Sequence, residues 1–549
     1  MEQYDFIKVI AVKTGTSIYE CGEMLCDDNS CLAVNDKEGN FISYVRKETL
    51  SEALNLGIGE YPIDLISMPA SISELEDAKE LKKYIDSPLN IAVLIGNDKK
   101  EINGLISLKA PLINNKEIYL TREYNKILPD KIKKILSLIS HMADKLAISV
   151  FLVGGVVRDL IKGIKSLDID ITVEANAIEF SRQLRKEYPD KVTLKEIHDD
   201  FKTTKLIFNI DGENIELDIA STRKEGYPYP ASLPKLCETG VNIKDDLSRR
   251  DFTINSMALS LNKASFCRLI DPLNGYSDIE KKKIKIIHPL SFVEDPTRII
   301  RALKFSVRFD YELDNTTDFL ANKCVESGLF DNLGGERLKA AIKQTFNLNK
   351  KECFKEFISK KLYKMVDKEI SSPENPSSLG SRICDITKKY NRCLSSQDYI
   401  WLIYFGAMLV NSQNISGISE RMLLSGVETG ILIGAKEIIK NHELLKSAQK
   451  RFEIYELLEG YLNESVLIAL IAIDDRAIEK KLDLYLREIQ HVKIFTTGKI
   501  LIERGLTPGP LFGSILRELL REKINGKICT KKDEELYLNK IFPDKKSGK

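Results

Sequence analysis

The sequence predicts an α+β protein whose first half mixes strands and helices and whose second half is helical throughout. Residues Phe151 to Glu174 read as a short apolar strand, a glycine turn, a helix and a second strand. From Gln344 to Gln490, apolar and charged residues alternate at three-to-four spacing, with breaks at SSPENPSSLGS and NSQNISG. A chain of 549 residues is long enough for several domains.

The first 125 residues form a predicted α/β module with an internal repeat. TGTSIYECGEML and the residues after it read as helix, strand, DKEGN turn, strand and helix, and NIAVLIGNDKKEINGLISLKAPL repeats the strand, turn and strand. This repeat resembles a pair of CBS domains, which often bind adenosine nucleotides in the cleft between them. Arg46, Thr49 and Ala110 replace the hydroxyl and Asp residues of that family's ligand pattern. We therefore expect a structural role, with a possible homodimer contact, in preference to nucleotide sensing.

The segment from Phe151 to Glu174 also carries a pattern suited to phosphate chemistry. Gly154-Gly155 allows a tight turn, and the helix after it directs free N–H groups and its dipole toward the turn, which favours an anion. Asp168 and Asp170 lie two apart on the following strand, so both carboxylates face one way, where oxygen ligands would hold Mg²⁺. Either feature alone is more often a plain loop or a solvated strand edge; their order and spacing favour a nucleoside triphosphate site.

The motif GG-x-VRD-x-L followed by D-x-D resembles the first signature of the tRNA nucleotidyltransferase/poly(A) polymerase family, whose palm is related to that of DNA polymerase beta. The matching stretch runs from about Ser149 to Thr345, and the bacterial class II CCA-adding type is the form it is most similar to. Three later segments follow in that family's order: ENIELDIASTRKEGYPYPASLP with Asp218, RRDFTINSMAL with Arg250, Asp251 and Asn255, and DPLNGYSDIEKKKIKIIHPLSFVEDPTRIIRALKF with Asp295 and Arg298.

This resemblance implies Mg²⁺-dependent phosphoryl transfer by two metal ions. Asp168 and Asp170 would bridge both ions, and Asp218, which faces the same way as Glu216 on a third strand, would hold the ion on the primer side. Nucleotide binding falls to Gly154, Gly155, Arg158, Arg250, Asp251, Asn255, Asp295 and Arg298. For Asp159, a helix cap or dipole partner is as good an interpretation as a contact in the site.

The pair Asp295 and Arg298 is the predicted reader of the base. A carboxylate accepts from the exocyclic amine of cytosine or adenine, whereas uracil and guanine would place a carbonyl oxygen against it and cost about 1–3 kcal/mol. Proline after acidic residues predicts a helix start here, with both side chains one turn apart on one face. The alternative is an ordinary i,i+3 ion pair on a helix surface.

The C-terminal segment has an excess of positive charge. Between residues 493 and 532 there are nine Lys or Arg and three Glu, counted at 493, 499, 504, 517, 521, 523, 527, 531 and 532 against 503, 518 and 522. GLTPGPLFGSIL and the helix after it resemble the tail of a subset of the same family. The predicted RNA contacts are Lys499, Arg517, Arg521, Lys523 and Lys527, by charge attraction to phosphates. A solvated helix face is the alternative.

Composition sets the remaining expectations. The N-terminus has no signal pattern and no apolar stretch is long enough to span a membrane, so we expect a cytoplasmic protein without membrane contact. Ten cysteines fit free thiols, because the spacing of Cys21, Cys26 and Cys31 matches no trusted zinc pattern. A net charge of +1 restricts any RNA contact to local patches. Trp401 is predicted to be a core residue.

These observations predict six segments: a CBS pair (1–125), a linker helix (126–148), a nucleotidyltransferase palm (149–275), a neck with the base-reading helix (276–349), a helical body (350–490) and an RNA-binding tail (491–549). The expected activity is template-independent addition of CMP and AMP, from CTP and ATP, to the tRNA 3′ end. Addition of CC only, of A only, or of poly(A) uses the same motifs. The alternative from another class is a catalytically silent CBS regulator, against which the three acidic positions argue.

Overall fold

The structure is a computed structural model that describes residues 4–25, 30–69, 71–74, 92–95, 102–108, 117–165 and 168–541. The chain divides into two compact units, residues 1–337 and 338–549. Over the described ranges, no helix combines the length and the apolar composition needed to cross a bilayer.

The N-terminal module comprises residues 4–108 of the first unit. Its elements are β1 (Tyr4–Lys13), α1 (Ile18–Met24), β2 (Ser30–Asn35), β3 (Phe41–Arg46), α2 (Lys47–Asn55), β4 (Met68–Pro69), β5 (Ser71–Glu74), β6 (Ala92–Ile95) and β7 (Ile102–Leu108). They form one seven-stranded sheet in the order β4-β3-β2-β1-β7-β6-β5. The predicted helix, strand, turn, strand and helix are confirmed by α1 to α2. Ala110 and Cys26 lie outside the described residues, and the CBS identity stays a prediction.

The palm follows, with two helices ahead of its sheet. Its elements are α3 (Thr121–Ile127), α4 (Asp130–Lys145), β8 (Val150–Val153), α5 (Gly155–Lys162), β9 (Asp170–Val173), α6 (Ala177–Glu187), β10 (Val192–His198), β11 (Thr203–Ile210), β12 (Glu213–Ser221), β13 (Arg223–Gly226), β14 (Lys235–Thr239), α7 (Ile243–Ser248), β15 (Ala258–Ser260) and β16 (Leu269–Ile270). The seven-stranded sheet has the order β10-β11-β12-β9-β8-β15-β16. The predicted strand, glycine turn, helix and strand are confirmed by β8, α5 and β9.

The sheet places the two strands of the acidic motifs side by side at its centre. β8 is buried at all four positions, as its run of apolar residues predicts, and it pairs with β9 in antiparallel orientation. β12 pairs with β9 in parallel orientation, with Asp218 opposite Asp170. Paired residues on neighbouring strands point to the same face. Residues more than forty positions apart are therefore brought to one point.

The first unit ends in short elements and two longer helices. Its last elements are α8 (Gly275–Glu280), β17 (Lys283–Ile284), α9 (Ser291–Glu294), α10 (Thr297–Phe309), β18 (Glu312–Leu313) and α11 (Asn315–Ser327). α10 is amphipathic and buries one face that includes Ile299, Ile300 and Leu303. Its opposite side carries cations at helical spacing, Arg301, Lys304 and Arg308.

The second unit is all helical over its described residues. Its helices are α12 (Gly335–Phe346), which begins just before the unit boundary, α13 (Lys351–Ser359), α14 (Pro376–Lys389), α15 (Ile400–Leu409), α16 (Ile415–Arg421), α17 (Gly426–Lys440), α18 (His442–Ser447), α19 (Arg451–Leu458), α20 (Asn463–Ala472), α21 (Arg476–Arg487), α22 (Gly498–Glu503), α23 (Pro510–Ile524) and α24 (Lys531–Ile541). All ten residues of α15 are buried, Trp401 among them, which confirms its place in the core.

The nine cysteines in the described ranges are free thiols. Burial raises the pKa of Cys21 to about 11 and that of Cys31 to about 12. Such thiols stay protonated and unreactive at neutral pH. Both therefore act as small core residues, as the sequence predicted.

Candidate functional site

The glycine turn between β8 and α5 brings the backbone close to Asp170 and Arg250. Gly154 has a φ of +74°, a conformation that favours glycine. A Cβ at this position would lie 2.9 Å from Nη1 of Arg250 and 3.9 Å from Oδ2 of Asp170. A side chain here would crowd the guanidinium of Arg250, whereas its distance from Asp170 is an ordinary contact. The turn thus brings a helix N-terminus, a guanidinium and a carboxylate together.

Three carboxylates meet beside this turn. Asp170 is the first residue of β9 and is paired with Asp218 of β12. Burial raises the pKa of Asp170. The negative charges of Asp168 and Asp218 raise this pKa further, and the positive charge of Arg250 lowers it. Asp168 and Asp218 therefore lie close enough to Asp170 to affect its ionisation.

The position of Asp168 differs from the sequence prediction. We expected both aspartates on one strand, but β9 begins at Asp170, so Asp168 lies two residues before it. The reason is the extent of the sheet: β12 pairs with residues 170–173 only, and β8 pairs from Ile171 onward, so no neighbour extends the ladder to Asp168.

The three carboxylates have the donor chemistry of a divalent-cation site. Carboxylate oxygens are the ligands that Mg²⁺ prefers, and a cation would relieve the mutual repulsion that raises the pKa of Asp170. Among the described residues, no group of three or more His, Cys, Asp or Glu side chains is arranged so that it could hold a metal ion by itself. A metal at these carboxylates would need further ligands, such as phosphate oxygens.

Arg158 is committed to neighbouring side chains. Its Nε donates to Oδ1 of Asp159 at 2.9 Å and its Nη1 donates to Oδ1 of Asn255 at 2.5 Å. The guanidinium is buried and lies 4.5 Å from the ring centroid of Phe309. Asp159 is thus the ion-pair partner of Arg158, and the arginine holds Asn255 in place. Its predicted phosphate contact stays a prediction.

Asp246 binds both arginines of the RRDFTINSMAL motif, Arg249 and Arg250. Its Oδ1 accepts from Nη2 of Arg249 at 2.7 Å, and its Oδ2 accepts from Nη2 of Arg250 at 3.0 Å. Burial raises the pKa of the fully buried Asp246, but the two arginines outweigh this effect and the pKa lies below its usual range. Within the described chain, Nε of Arg250 is buried without a hydrogen-bond partner, which leaves a donor for a ligand.

Asp251 is also held by side-chain donors, Asn255 and Arg301. Its Oδ1 accepts from Nδ2 of Asn255 at 3.1 Å, and its Oδ2 accepts from Nε of Arg301 at 2.9 Å. Burial opposes ionisation, but Arg301 and Asn255 keep the pKa of Asp251 below its usual range. Asp251 and Asn255 therefore form a rigid, charged platform next to Arg158.

Of the two predicted base-reading residues, Arg298 lies in α10 as expected, and Asp295 does not. Asp295 lies before α10 in extended conformation, and not in the first turn. The physical reason is capping: its Oδ1 accepts from N and Oγ1 of Thr297, at 3.0 and 2.6 Å, and from Nη2 of Arg337 at 2.8 Å. Among the described residues, every hydrogen bond to the carboxylate of Asp295 goes to Oδ1. Oδ2 is left to accept from a ligand.

Asp295 is a carboxylate at neutral pH. Burial raises its pKa, but Arg337, Thr297 and Arg298 together lower it below the usual range. A carboxylate oxygen accepts hydrogen bonds and donates none. The group therefore has the chemistry that the base-reading hypothesis requires.

Arg298 is buried and held at both ends of its fork. Nη1 donates to Oγ of Ser291 at 2.7 Å, and Nη2 donates to the hydroxyl of Tyr227 at 3.2 Å and to the carbonyl oxygen of Arg249 at 3.3 Å. No ion pair joins Arg298 to Asp295 among the described contacts, so the surface-pair alternative does not hold. Arg249 contacts Arg298, and its neighbour Arg250 reaches Gly154. One dipeptide thus links the two halves of the site.

Several residues of the site were not identified from the sequence. They are Glu225, Asp246, Arg301, Lys304 and Arg337. Two signals were available: Asp246 stands four residues before Arg250, and the cations of α10 recur at intervals of three or four residues. Arg337 carries no such signal, because its partner Asp295 is 42 residues away.

The predicted RNA contacts in the second unit fall into two groups. Arg517 bridges Glu456 and Glu459, Lys527 pairs with Glu522, and Lys523 pairs with the buried Glu534 at 2.7 Å. Lys499 and Arg521 are exposed, and Arg521 also lies 5.1 Å from the ring centroid of Phe452. Lys523 is thus part of the packing of the tail, whereas Lys499 and Arg521 present charge to solvent.

Comparison with known proteins agrees with this geometry. Residues 150–285 match the family model of the poly A polymerase head domain. A solved CCA-adding enzyme in an apo form superposes with a TM-score of 0.64 at 27% identity, over 77% of this chain and 99% of that one. The Thermotoga maritima CCA-adding enzyme complexed with tRNA gives a TM-score of 0.62 over the same shares.

Two relatives extend the similarity over more of the sequence. An A-adding tRNA nucleotidyltransferase of Geobacter sulfurreducens is 26% identical over 96% of this chain, which spans 63% of that protein's length. An A-adding tRNA nucleotidyltransferase of Halalkalibacterium halodurans is 28% identical over 75% of this chain and 93% of its own length. The fold, the site and these similarities define an enzyme of the nucleotidyltransferase class. Its relatives are named as enzymes that act on tRNA, and their names differ in the nucleotides that they add.

Proposed function

We propose that this protein is a template-independent tRNA nucleotidyltransferase that adds CMP and AMP to the tRNA 3′ end. The observation that carries the proposal is the Arg249-Arg250 dipeptide. Arg250, held by Asp246, reaches Gly154 beside the carboxylates. The carbonyl oxygen of Arg249 accepts from Arg298, which with Asp295 forms the proposed base-reading pair. The dipeptide thus lies between the two parts of the site. A nucleoside triphosphate is a ligand with both a polyphosphate and a base to occupy those two parts.

In this proposal the palm residues bind the triphosphate and orient the attacking hydroxyl. Arg250 offers its unpartnered Nε–H to phosphate oxygens, and the cations Arg301, Lys304 and Arg308 add positive charge. Asp218 stands beside Asp170 and would orient the primer 3′-hydroxyl. Mg²⁺ held by Asp168, Asp170 and Asp218 would lower the pKa of that hydroxyl and neutralise the leaving pyrophosphate.

Base choice in the proposal depends on the free Oδ2 of Asp295. It accepts from the exocyclic amine of cytosine or adenine, and Arg298 donates its remaining Nε–H to a ring acceptor. Uracil or guanine would direct a carbonyl oxygen at Oδ2 and leave two acceptors facing each other, at about 1–3 kcal/mol. The protein alone therefore selects C and A.

Addition of A alone is a second candidate. Three relatives named A-adding enzymes, from Geobacter sulfurreducens, Halalkalibacterium halodurans and Aquifex aeolicus, are similar over 96%, 75% and 68% of this chain. A relative named a CC-adding enzyme is similar over 39%. This difference favours the AMP step over the CMP steps.

The test uses tRNA primers that end at the discriminator base, at C and at CC, each with CTP alone, ATP alone or both. Complete addition extends all three primers with the mixture. An A-adding enzyme extends only the primer that ends in CC, and only with ATP. No extension of any primer would contradict tRNA nucleotidyl transfer altogether, and long adenylate products on every primer would assign poly(A) synthesis.

In the second unit, Lys499 and Arg521 are the proposed contacts with the tRNA backbone. Both are exposed cations, so they can approach phosphates without breaking an internal ion pair. Arg517 and Lys527 contribute only if the RNA displaces their carboxylate partners. Lys523 contributes to the fold of the tail.

A further inference from the structure

The N-terminal module shares its hydrophobic core with the segment that carries the base-reading residues. Leu290 and Val293, on either side of Ser291, are each 1% exposed and belong to the same buried cluster as Ile18, Leu50 and Ile63 of the module. Tyr227 and Leu329 pack against that cluster. The module is therefore continuous with α9 and is not an appendage on a flexible linker.

α9 in turn holds Arg298. Ser291 accepts from Nη1 of Arg298 at 2.7 Å, and Oε2 of Glu294 lies 3.5 Å from the same nitrogen. Tyr227, which packs against the module core, accepts from Nη2 of Arg298. Each of these contacts to the guanidinium comes from a segment whose position depends on the module.

A charged contact accompanies this shared core. Nε2 of His288 lies 3.2 Å from Oε2 of Glu294, so the imidazole and Arg298 share one carboxylate oxygen. Glu52 of α2, in the module, is close enough to His288 and Glu294 for both to change its pKa: partial burial raises it, His288 lowers it and Glu294 raises it, with a further increase from Glu48. Among the described residues, the titratable groups at this junction include Glu48, Glu52, His288, Glu294, Asp295 and Arg298.

We propose that the N-terminal module is a positioning element for base selection: its core holds α9, and the row Glu52, His288 and Glu294 sets the guanidinium of Arg298. The inference rests on the proposed function, since base reading by Asp295 and Arg298 belongs to it. A module with this role is needed whether or not it binds a ligand of its own.

Glu52→Lys in the full-length protein is the most direct test, because the position is exposed on a helix where lysine is well tolerated. A cation here draws Glu294 away from Arg298 and loosens the guanidinium. We expect the ratio of ATP affinity to UTP affinity, measured by calorimetric titration without tRNA, to fall by about threefold or more. The unfolding midpoint stays unchanged. Glu60→Lys, an exposed position of the same module, is the matched control.

A double-mutant cycle with His288→Gln shows the route of the effect. The glutamine amide keeps a donor toward Glu294 but removes the imidazole. If the module acts through His288, Glu52→Lys changes the affinity ratio less in the His288→Gln background than in the wild type. Additive effects, an unchanged ratio in Glu52→Lys, or an equal change in Glu60→Lys would overturn the inference. Equal affinity of the wild type for all four nucleotides would instead remove base reading itself, and the inference with it.

Discussion

Arginine–carboxylate pairs occur in both units of this protein, and their consequences differ with burial. In the palm, Asp246 is fully buried and binds Arg249 and Arg250, both mostly buried. In the tail, Arg517 binds Glu456 and Glu459 with all three side chains substantially exposed. Buried pairs fix geometry, because breaking one leaves an uncompensated charge, while exposed pairs exchange with water and salt. The same residue types therefore build a rigid site in one unit and a solvated, displaceable surface in the other.

The largest expected effect concerns the carboxylates that the palm arginines surround. Asp170→Asn should lower nucleotide incorporation by about 1000-fold or more while tRNA affinity stays near that of the wild type, because the lost oxygen binds metal and not RNA. That reason holds under the proposed function, in which Asp170 binds metal. Single-turnover incorporation and a filter-binding titration measure the two quantities. Glu216→Gln, on β12 and paired with Lys195, is the control and should keep full activity. Substantial incorporation by Asp170→Asn would remove that residue from catalysis.

The next effect compares the two kinds of ion pair directly. Asp246→Asn removes the buried anion that Arg249 and Arg250 share, although Arg249 keeps its pair with Glu225. We expect the free energy of unfolding to fall by about 3–5 kcal/mol. Glu459→Gln, which removes one partner of Arg517, should leave the unfolding midpoint within experimental error. Urea denaturation of the two variants measures both. Equal losses would mean that burial is not what separates the palm from the tail.

A pH effect follows from Lys304, which lies among cations. Burial and the neighbouring Arg301 lower the pKa of Lys304 to about 8, although Asp251 acts in the opposite direction. A bound phosphate favours the protonated amine, so ATP affinity should fall as pH rises through 8, by up to about tenfold between pH 7 and 9. Lys304→Arg remains cationic throughout and should flatten the profile. A fluorescence titration of ATP at several pH values measures this, and an unchanged slope in Lys304→Arg would exclude Lys304 from phosphate binding.

The effect of Lys304 on folding stability has the opposite pH dependence: ATP affinity falls as pH rises, whereas this contribution to stability rises. The folded pKa of Lys304 lies below its unfolded value, so the cost of burying the charge is present below pH 8. The unfolded state binds more protons between about pH 8 and 10.4, and this contribution to stability rises with pH in that window.

The smallest effect distinguishes two lysines of the tail. Lys499→Gln should reduce the slope of log tRNA affinity against log salt by about one, because it removes one phosphate contact. Lys523→Gln should leave that slope unchanged and lower thermal stability, because Glu534 then loses its cation while it still accepts from N of Phe495 and of Thr496. Salt titrations of labelled tRNA and thermal melts decide. The opposite pattern would place Lys523 on the RNA.

Local sequence predicted the palm well and its contacts poorly. The order of β8, α5 and β9 follows from apolar alternation and two glycines, and Asp170 and Asp218 follow from the strands that carry them. The partners of the arginines could not be predicted in this way. Asp246 and Glu225 meet Arg249 only after β13 and α7 pack together, and Asp295 meets Arg337 across 42 residues. The helix face predicted for Asp295 was wrong because capping of Thr297 holds that residue outside α10.

Asp295 gives the most direct test of the central claim, that the protein itself selects the base that is added. Oδ1 is held by Thr297 and Arg337, so Asp295→Asn places an amide donor where Oδ2 accepted. A tRNA ending in CC is incubated with an equimolar mixture of the four nucleoside triphosphates, and the product is identified by mass. The account predicts that the wild type adds AMP and that Asp295→Asn shifts toward UMP and GMP. The same product from both proteins, or mixed products from the wild type, would contradict selection by Asp295.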